Sequence, residues 1–375
     1  MSQPPTPQDN AISQLTHNPE KYRDYLLQMM VTNKASDMYL TFGESPCLRI
    51  HGSVHRITQI PVFTDDQLEH LALSLMDERQ KKQFVEERDL DLGYSSNGGR
   101  YRVNVSHQRR HVLIVIRLLC SKIMTLDELG LPQIFKQIVR RHNGIILMAG
   151  ATGSWKSTTL AAMIEEINIS YPKHIITIED PVEYIFTPKK SVVEQKELWT
   201  DIQSFSRGLK SALRQKPDVI LFGEMRDLES IQNAITLAET GHLVLSTIHS
   251  QSAAQTISKI IDIFPPEQQN QIRIQLADSL SAVIYQRLLK KMDGTWMVPA
   301  QEIMLNNSAI KNLIRENKTN QIVNIIQTHR QEGMQALEDQ LVQLAQQWIV
   351  APQDALDAAN DKKHVLRGLK AGAGN

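Results

Sequence analysis

The stretch of this chain richest in chemistry follows a short apolar run, residues 145–149. It reads Gly150-Ala151-Thr152-Gly153-Ser154-Trp155-Lys156-Ser157 and opens into the helical run TTLAAMIEEI. Strand, glycine-bearing loop, Lys-Ser and helix are the layout of a phosphate-binding loop. Backbone N–H groups at a helix N-terminus face anionic oxygens there, and the helix dipole adds attraction. Lys156 is then expected on the β- and γ-phosphates and Ser157 on Mg²⁺. A nucleoside triphosphate is the expected ligand, with Gly150, Thr152, Gly153, Ser154, Lys156, Ser157 and Thr158 as its binding set. One position departs from the pattern GxxxxGK[ST]: Trp155 stands where glycine is called for. The backbone wraps the phosphates tightly at that point and leaves little room for a side chain. An indole there is expected to fill the nucleotide space or force the loop open. Weak nucleotide binding or slow turnover would follow, with Trp155→Gly restoring both. A glycine-rich strand-to-helix turn with no ligand is the plainer alternative.

Three more strand-like runs end in acids or histidine. Residues 175–179 (IITIE) lead into Asp180-Pro181-Val182-Glu183. Residues 218–222 (DVILF) end in Gly223-Glu224-Met225-Arg226-Asp227, the shape of a Walker B segment that brings a carboxylate to a metal and its attacking water. Residues 243–248 (LVLSTI) are preceded by Gly241-His242 and end in His249-Ser250. Groups just past the C-terminal ends of parallel strands lie in the crevice where α/β sheets bind ligands. Taken singly, each has an ordinary explanation: Glu179 and Glu183 as helix caps, His249 as a satisfied surface histidine, Glu224 and Arg226 in a loop ion pair. Together, beside a phosphate loop, they predict an NTPase site.

The elements that must position these groups alternate. Strands at 145–149, 175–179, 219–222 and 243–248 are separated by helix-length segments at 156–169, 202–214 and 227–240, which calls for βαβ units and a mainly parallel sheet. After about residue 252 the pattern reads as mostly helical. The first half differs. Short alternating runs at 37–57, broken by Gly43, Pro46 and Gly52, and strand-like runs at 89–95, 99–107 and 110–118, with a turn at Asn97-Gly98-Gly99, predict a small α+β domain with an antiparallel sheet. The expected division is a flexible tail at 1–20, this domain at 21–120, a linker at 121–131, an ATPase domain with C-terminal helices at 132–350 and a tail at 351–375.

Composition narrows the class. The 375 residues carry 41 basic and 41 acidic side chains, so no net field draws the chain to nucleic acid or an anionic membrane. The basic run Gln108-Arg109-Arg110-His111 has no interleaved aromatics, and a nucleic-acid partner is not expected. Two cysteines, Cys47 and Cys120, cannot build a disulfide framework or a CxxC site, which fits a reducing compartment. Met1 to Asn10 is polar and Pro-rich where a signal peptide would be apolar. A cytoplasmic protein is the expectation.

Several motifs resemble one superfamily. TIEDPVEY, PDVILFGEMRD and AETGHLVLSTIHS resemble the Asp box, Walker B and His box of the secretion ATPases, and GATGSWKSTTLAAMI resembles their Walker A apart from Trp155. ASDMYLTFG, GRYRVNVSHQRR and TLDELGLP resemble the N-terminal domain and linker of type IV pilus retraction ATPases of the PilT/PilU type. AIKNLIRENK, residues 309–318, resembles a helix motif of those motors, with Lys311 where the family usually has arginine.

That resemblance implies a homohexameric ring in which a PAS-like N-terminal domain swings over a RecA-like P-loop ATPase core, an α/β fold. It implies Glu183 as general base, Glu224 as the Walker B acid near Mg²⁺ together with Ser157, and His242 and His249 as groups that sense or complete the site. Arginines of the N-terminal domain reach the phosphates in the closed state; Arg102, Arg109 and Arg117 lie in the matching region, and the choice among them stays open. ATP hydrolysis would drive pilus retraction and twitching motility. The implied partners are an inner-membrane pilus platform protein and a paralogous retraction ATPase, with the ring peripheral at the inner membrane. Two rivals stand beside this reading: a catalytically impaired ring subunit or scaffold, crippled by Trp155, and a conjugation or secretion ATPase of the same superfamily. Assembly ATPases commonly carry a four-cysteine zinc module, which two cysteines cannot supply.

Overall fold

A computed structural model describes residues 18–96, 99–119, 122–294 and 296–372. The tail expected over the first residues, the turn at Asn97-Gly98 and Cys120 lie outside this set, save the last residues of the tail. The chain divides into two compact units: residues 1–122 with 181–185, and residues 123–180 with 186–375.

The N-terminal unit opens with α1 (Pro19–Thr32), capped by the Asn18 side chain, which accepts the Lys21 N–H. Strands β1 (Asp37–Thr41), β2 (Cys47–Ile50) and β3 (Ser53–Arg56) follow, then α2 (Asp65–Ser74) and α3 (Glu78–Glu87). Both helices start with reciprocal capping boxes, Thr64 with Gln67 and Asp77 with Gln80, and so satisfy N–H groups that a helix start leaves open. Strands β4 (Leu90–Ser96), β5 (Gly99–Gln108) and β6 (His111–Leu119) complete a six-stranded sheet in the order β3-β2-β1-β6-β5-β4, with every pairing antiparallel. Alternation sets its faces: Tyr101, Val103 and Val105 of β5 are buried while Arg100, Arg102 and Asn104 between them are not. The buried face packs on Leu26, Leu27 and Met30 of α1 and Leu68 and Leu71 of α2.

The second unit is built on a seven-stranded sheet. After α4 (Ile134–Ile138) come β7 (Gly144–Ala149), α5 (Lys156–Ser170), β8 (His174–Glu179), β9 (Val192–Glu197), α6 (Phe205–Leu213), β10 (Val219–Glu224), α7 (Leu228–Glu239) and β11 (Leu243–Ile248). Then α8 (Ala253–Asp262) and α9 (Pro266–Ser279) lead to the long strands β12 (Leu280–Lys290) and β13 (Met297–Leu305). The order is β13-β12-β7-β11-β10-β8-β9, parallel throughout except for the β12–β13 hairpin. All six residues of β7 and of β11 are buried, as central parallel strands covered on both faces must be. The chain ends in α10 (Ser308–Arg315), α11 (Ile322–Thr328), α12 (Leu337–Gln346), α13 (Pro352–Ala358) and α14 (Lys362–Gly372).

Three features depart from the sequence reading. The region after residue 252 is mostly helical, but it also holds two strands that were not foreseen: β12 and β13 extend the sheet on the far side of β7. Their near-continuous apolar runs carry no alternation, and periodicity cannot separate such a strand from a buried helix. Strand β9 was not foreseen, because VVEQKE mixes exposed and half-buried polar residues at a sheet edge. The expected tail at 351–375 instead forms two helices, with Ala355 and Val365 fully buried. No described helix is long and apolar enough to cross a membrane.

Candidate nucleotide site

The loop between β7 and α5 is shaped by buried groups beneath it. Gly150 leaves no space for a side chain: a Cβ there would lie 2.5 Å from the Gln286 carbonyl oxygen and 2.5 Å from Ser154 Oγ. Ser154 is buried and its hydroxyl donates to the Ala151 carbonyl at 2.8 Å, closing the turn. Lys156 is also buried, and its Nζ donates to the carbonyls of Gly150 at 2.9 Å and Ala151 at 2.8 Å. Ser157 is exposed in the first turn of α5 and Thr158 half-buried beside it. From Gly150 to Ser154 the loop walls a cavity of about 750 Å³, shared with His249, Lys259 and Arg287. That volume suits a small-molecule ligand.

A set of buried amides braces this loop, and sequence reading missed it. Gln286, in the middle of β12 and fully buried, donates from Nε2 to the Ser154 carbonyl at 2.6 Å. Its Oε1 accepts from Thr159 Oγ1 at 3.0 Å and from Gln301 Nε2 at 2.7 Å. The Gln301 N–H in turn donates to Gln340 of α12. A glutamine inside a strand looks like a surface residue in sequence; its one signal is a polar side chain amid the apolar run LSAVIYQRLLK.

Trp155 occupies the place of the expected glycine with φ 61° and ψ 30°, the left-handed backbone a glycine adopts without penalty. For a side-chain-bearing residue this costs about 1–2 kcal/mol. Its carbonyl accepts the Thr159 N–H at 3.0 Å, so α5 still begins normally. The half-buried indole does not line the space at Gly150–Ser154. It lies against Trp296, ring centroids 5.8 Å apart at 50°, on the wall of an adjoining cavity that shares Met297 with the first.

The strand ends supply the acids. A register shift between Phe222 and Glu224 ends the regular pairing of β10 with β11. Glu224 then meets His249 Nε2 at 3.2 Å with Oε1 and Arg226 Nε at 2.7 Å with Oε2. Thr247 Oγ1 donates to the Gly223 carbonyl at 2.9 Å and fixes the backbone just before this carboxylate. Lys259 Nζ, also unforeseen, donates to the His249 carbonyl at 2.7 Å. Glu224 and His249 thus share the C-terminal edge of the sheet with the Gly150–Ser157 loop.

His242 does not join them. It precedes β11, and with six residues of strand at roughly 3.3 Å each it stands at the opposite sheet edge from His249. Its Nδ1 faces the Leu237 carbonyl at 2.9 Å and Thr240 Oγ1 at 3.1 Å, a cap on the end of α7. Glu183 falls in the segment 181–185, which groups with the N-terminal unit. Arg100 Nε donates to the Val182 carbonyl beside it at 3.1 Å. Arg102 and Arg117 are register partners on β5 and β6. Arg102 pairs with Asp91 at 2.7 Å, and Arg117 with the buried Asp37 at 2.8 Å. Arg109 sits in the β5–β6 turn with φ 51°.

The described residues hold no cluster of three His, Cys, Asp or Glu side chains fit for a metal ion. Ser157 and Glu224 are hard oxygen donors, however, and suit a Mg²⁺ that keeps waters and takes its other ligands from phosphates.

Comparison with known proteins gives the family of this fold. The model for the type II/IV secretion system protein family matches residues 17–298. The chain belongs to that family. It is 43% identical over 335 residues to the type IV pilus retraction ATPase PilT of Pseudomonas aeruginosa, covering 89% of this chain and 97% of the relative. The type IV pilus ATPase PilU of the same organism is 37% identical, with 91% and 90% covered. A crystal structure of the pilus retraction motor PilT with bound ADP superposes with a TM-score of 0.85 at 42% identity, covering 91% of this chain and 98% of that one. Within the family, this member carries Trp155 in its phosphate loop and a neighbouring tryptophan that receives it.

Proposed function

We propose that this chain is a motor ATPase that couples ATP hydrolysis to type IV pilus retraction and twitching motility. The observation that carries the reading is the convergence of Lys156, Ser157, Glu224 and His249 on one edge of the seven-stranded sheet, in a chain homologous to retraction ATPases along nearly its whole length. Lys156 exchanges its loop carbonyls for the β- and γ-phosphate oxygens and offsets their charge. The backbone N–H groups of the loop orient the phosphate chain, and Gln286 keeps them in place. Water attacks the γ-phosphorus as the bond to the bridging oxygen breaks; Glu183 takes the water's proton and ADP leaves. When bound, Mg²⁺ spreads the phosphate charge, with Ser157 and Glu224 as its protein oxygens. Glu224 in turn keeps its link to His249, which places that ring where it responds to the phosphate. Arg102 or Arg117 of a neighbouring copy supplies further positive charge.

The working form is a homohexamer on the cytoplasmic side of the inner membrane, engaging the pilus platform protein and a paralogous retraction ATPase. Electron microscopy of purified protein with and without ATP, with phosphate release measured on the same sample, tests it. Six-membered rings and Lys156-dependent turnover are expected; monomers under both conditions overturn it. Trp155 supports a second reading, a ring subunit that assembles without hydrolysing. Intact rings with no turnover in the wild type, and turnover on Trp155→Gly, select it.

A further inference from the structure

We propose that Trp296 is a positioning residue that holds the Trp155 indole out of the phosphate site, making the two tryptophans a co-dependent pair. The proposal rests on the reading of Gly150 to Ser157 as the nucleotide loop. The left-handed backbone at Trp155 fixes the direction of its Cβ, so only the two side-chain torsions choose where the ring goes. The ring occupies the wall of a cavity of about 700 Å³ in the same unit, whose other faces include Trp296, Trp348, Lys291, Gln343 and Gln347. The cavity at Gly150–Ser154 has no part of Trp155 in its lining.

The Trp296 backbone is anchored beside β12. It closes the β12–β13 turn: its carbonyl accepts the Lys291 N–H at 3.1 Å, and the Gly294 N–H donates to the Lys291 carbonyl at 3.0 Å. The Met292 N–H then ties the turn to the Ile349 carbonyl at 2.9 Å. The Trp296 side chain is 55% exposed, unusual for so large an apolar group, and contact with the Trp155 ring gives it a role there. Tilted aromatic pairs at this separation are favourable beyond the area they bury. Without Trp296 the indole loses that anchor and samples the other side of the loop, where it competes with phosphate. With glycine at 155 there is no ring to hold, and Trp296 becomes dispensable.

A double-mutant cycle tests this by Mg-ATP affinity and turnover in wild type, Trp296→Ala, Trp155→Gly and the double variant, with melting temperatures confirming folding. An aromatic pair of ordinary strength predicts an ATP affinity about two- to tenfold weaker in Trp296→Ala, with turnover at saturating ATP nearly unchanged. Trp296→Phe should restore it, and Trp296→Ala in the Trp155→Gly background should change nothing. Equal losses in both backgrounds overturn the pairing, and so does unchanged affinity in Trp296→Ala. Lys156→Ala checks the underlying reading separately. If no variant binds ATP, that reading fails, and the pair is judged without nucleotide. A protein with Trp199→Phe and Trp348→Phe plus either Trp296→Phe or Trp296→Ala reports Trp155 fluorescence. Iodide should quench Trp155 more strongly in the alanine version; equal quenching overturns the proposal.

Discussion

The phosphate loop and the Glu224–His249 edge lie on neighbouring strand ends, yet they are held by different physics. The loop is set from below by neutral, fully buried amides, with Gln286 tying Ser154 and Thr159 to Gln301. The acid edge is set by polar groups near the surface: Arg226, largely open to solvent, and the partly exposed His249 flank a carboxylate 18% exposed. Buried hydrogen bonds are insensitive to salt and costly to leave unmade; exposed ion pairs are screened and worth little. Damage to the loop should therefore register in stability and binding together, and damage to the acids in rate alone.

The sharpest break in that comparison comes from a proposed catalytic acid. Glu183→Gln keeps shape and removes the base, so hydrolysis should fall about 10²–10⁴-fold while ATP affinity holds. Steady-state phosphate release and equilibrium binding on the same preparation read both. Unchanged turnover would move the base to Glu224. On the loop side, Gln286→Leu strands the Ser154 carbonyl, the Thr159 hydroxyl and the Gln301 amide. At about 1–3 kcal/mol for each unpaired group, urea unfolding of the second unit should show a loss of several kcal/mol. ATP affinity should fall with it, whereas Arg226→Ala should leave the unfolding midpoint nearly unmoved.

Much of this architecture was legible. The four strand ends that carry the loop, Glu179, Glu224 and His249 were marked by apolar runs stopping at polar residues, because a covered parallel strand has no other composition open to it. The bracing amides were not legible, since Gln286 and Gln301 acquire meaning only when β12 and β13 fold against β7 and α12. His242 misled for the opposite reason. It flanks the same strand as His249, but a parallel strand separates its ends by its whole length, and linear nearness says nothing of the edge.

A third effect follows from burial in the same region. Glu302 of β13 has 5% exposure; its Oε1 accepts the Ala253 N–H at 2.6 Å, and Glu338 lies near. Burial pushes its pKa up to about 7, against the lowering effect of the Ala253 bond and with help from the Glu338 charge. The folded state thus holds a proton that the unfolded chain releases near 4.5. The stability this confers is complete below that lower value and is lost as pH rises through about 7. Glu302→Gln should flatten the fall between those limits and leave the protein more stable at pH 8 by roughly 3 kcal/mol. Melting curves from pH 5 to 8 measure it; a parallel slope in both proteins would discard the account. The smallest expected change in chemistry lies on α10. On α10, Ile310 and Ile314 are fully buried and Leu313 is only partly so. Leu313→Ala should impair pilus retraction in cells while ATPase rate in solution changes less than about twofold, within the range of surface substitutions. Equal losses would make α10 an ordinary packing helix.

Lys156 is satisfied before any phosphate arrives. Its ammonium rests on the Gly150 and Ala151 carbonyls, so the nucleotide capture proposed for this loop would be a swap of acceptors, not the filling of a vacant charge. Two carbonyl oxygens are released for each lysine delivered, and water must take them up. The heat of binding is then a small difference between two sets of strong contacts. On the proposed function, discrimination between triphosphate and diphosphate would come from how completely the incoming oxygens outbid the loop's own.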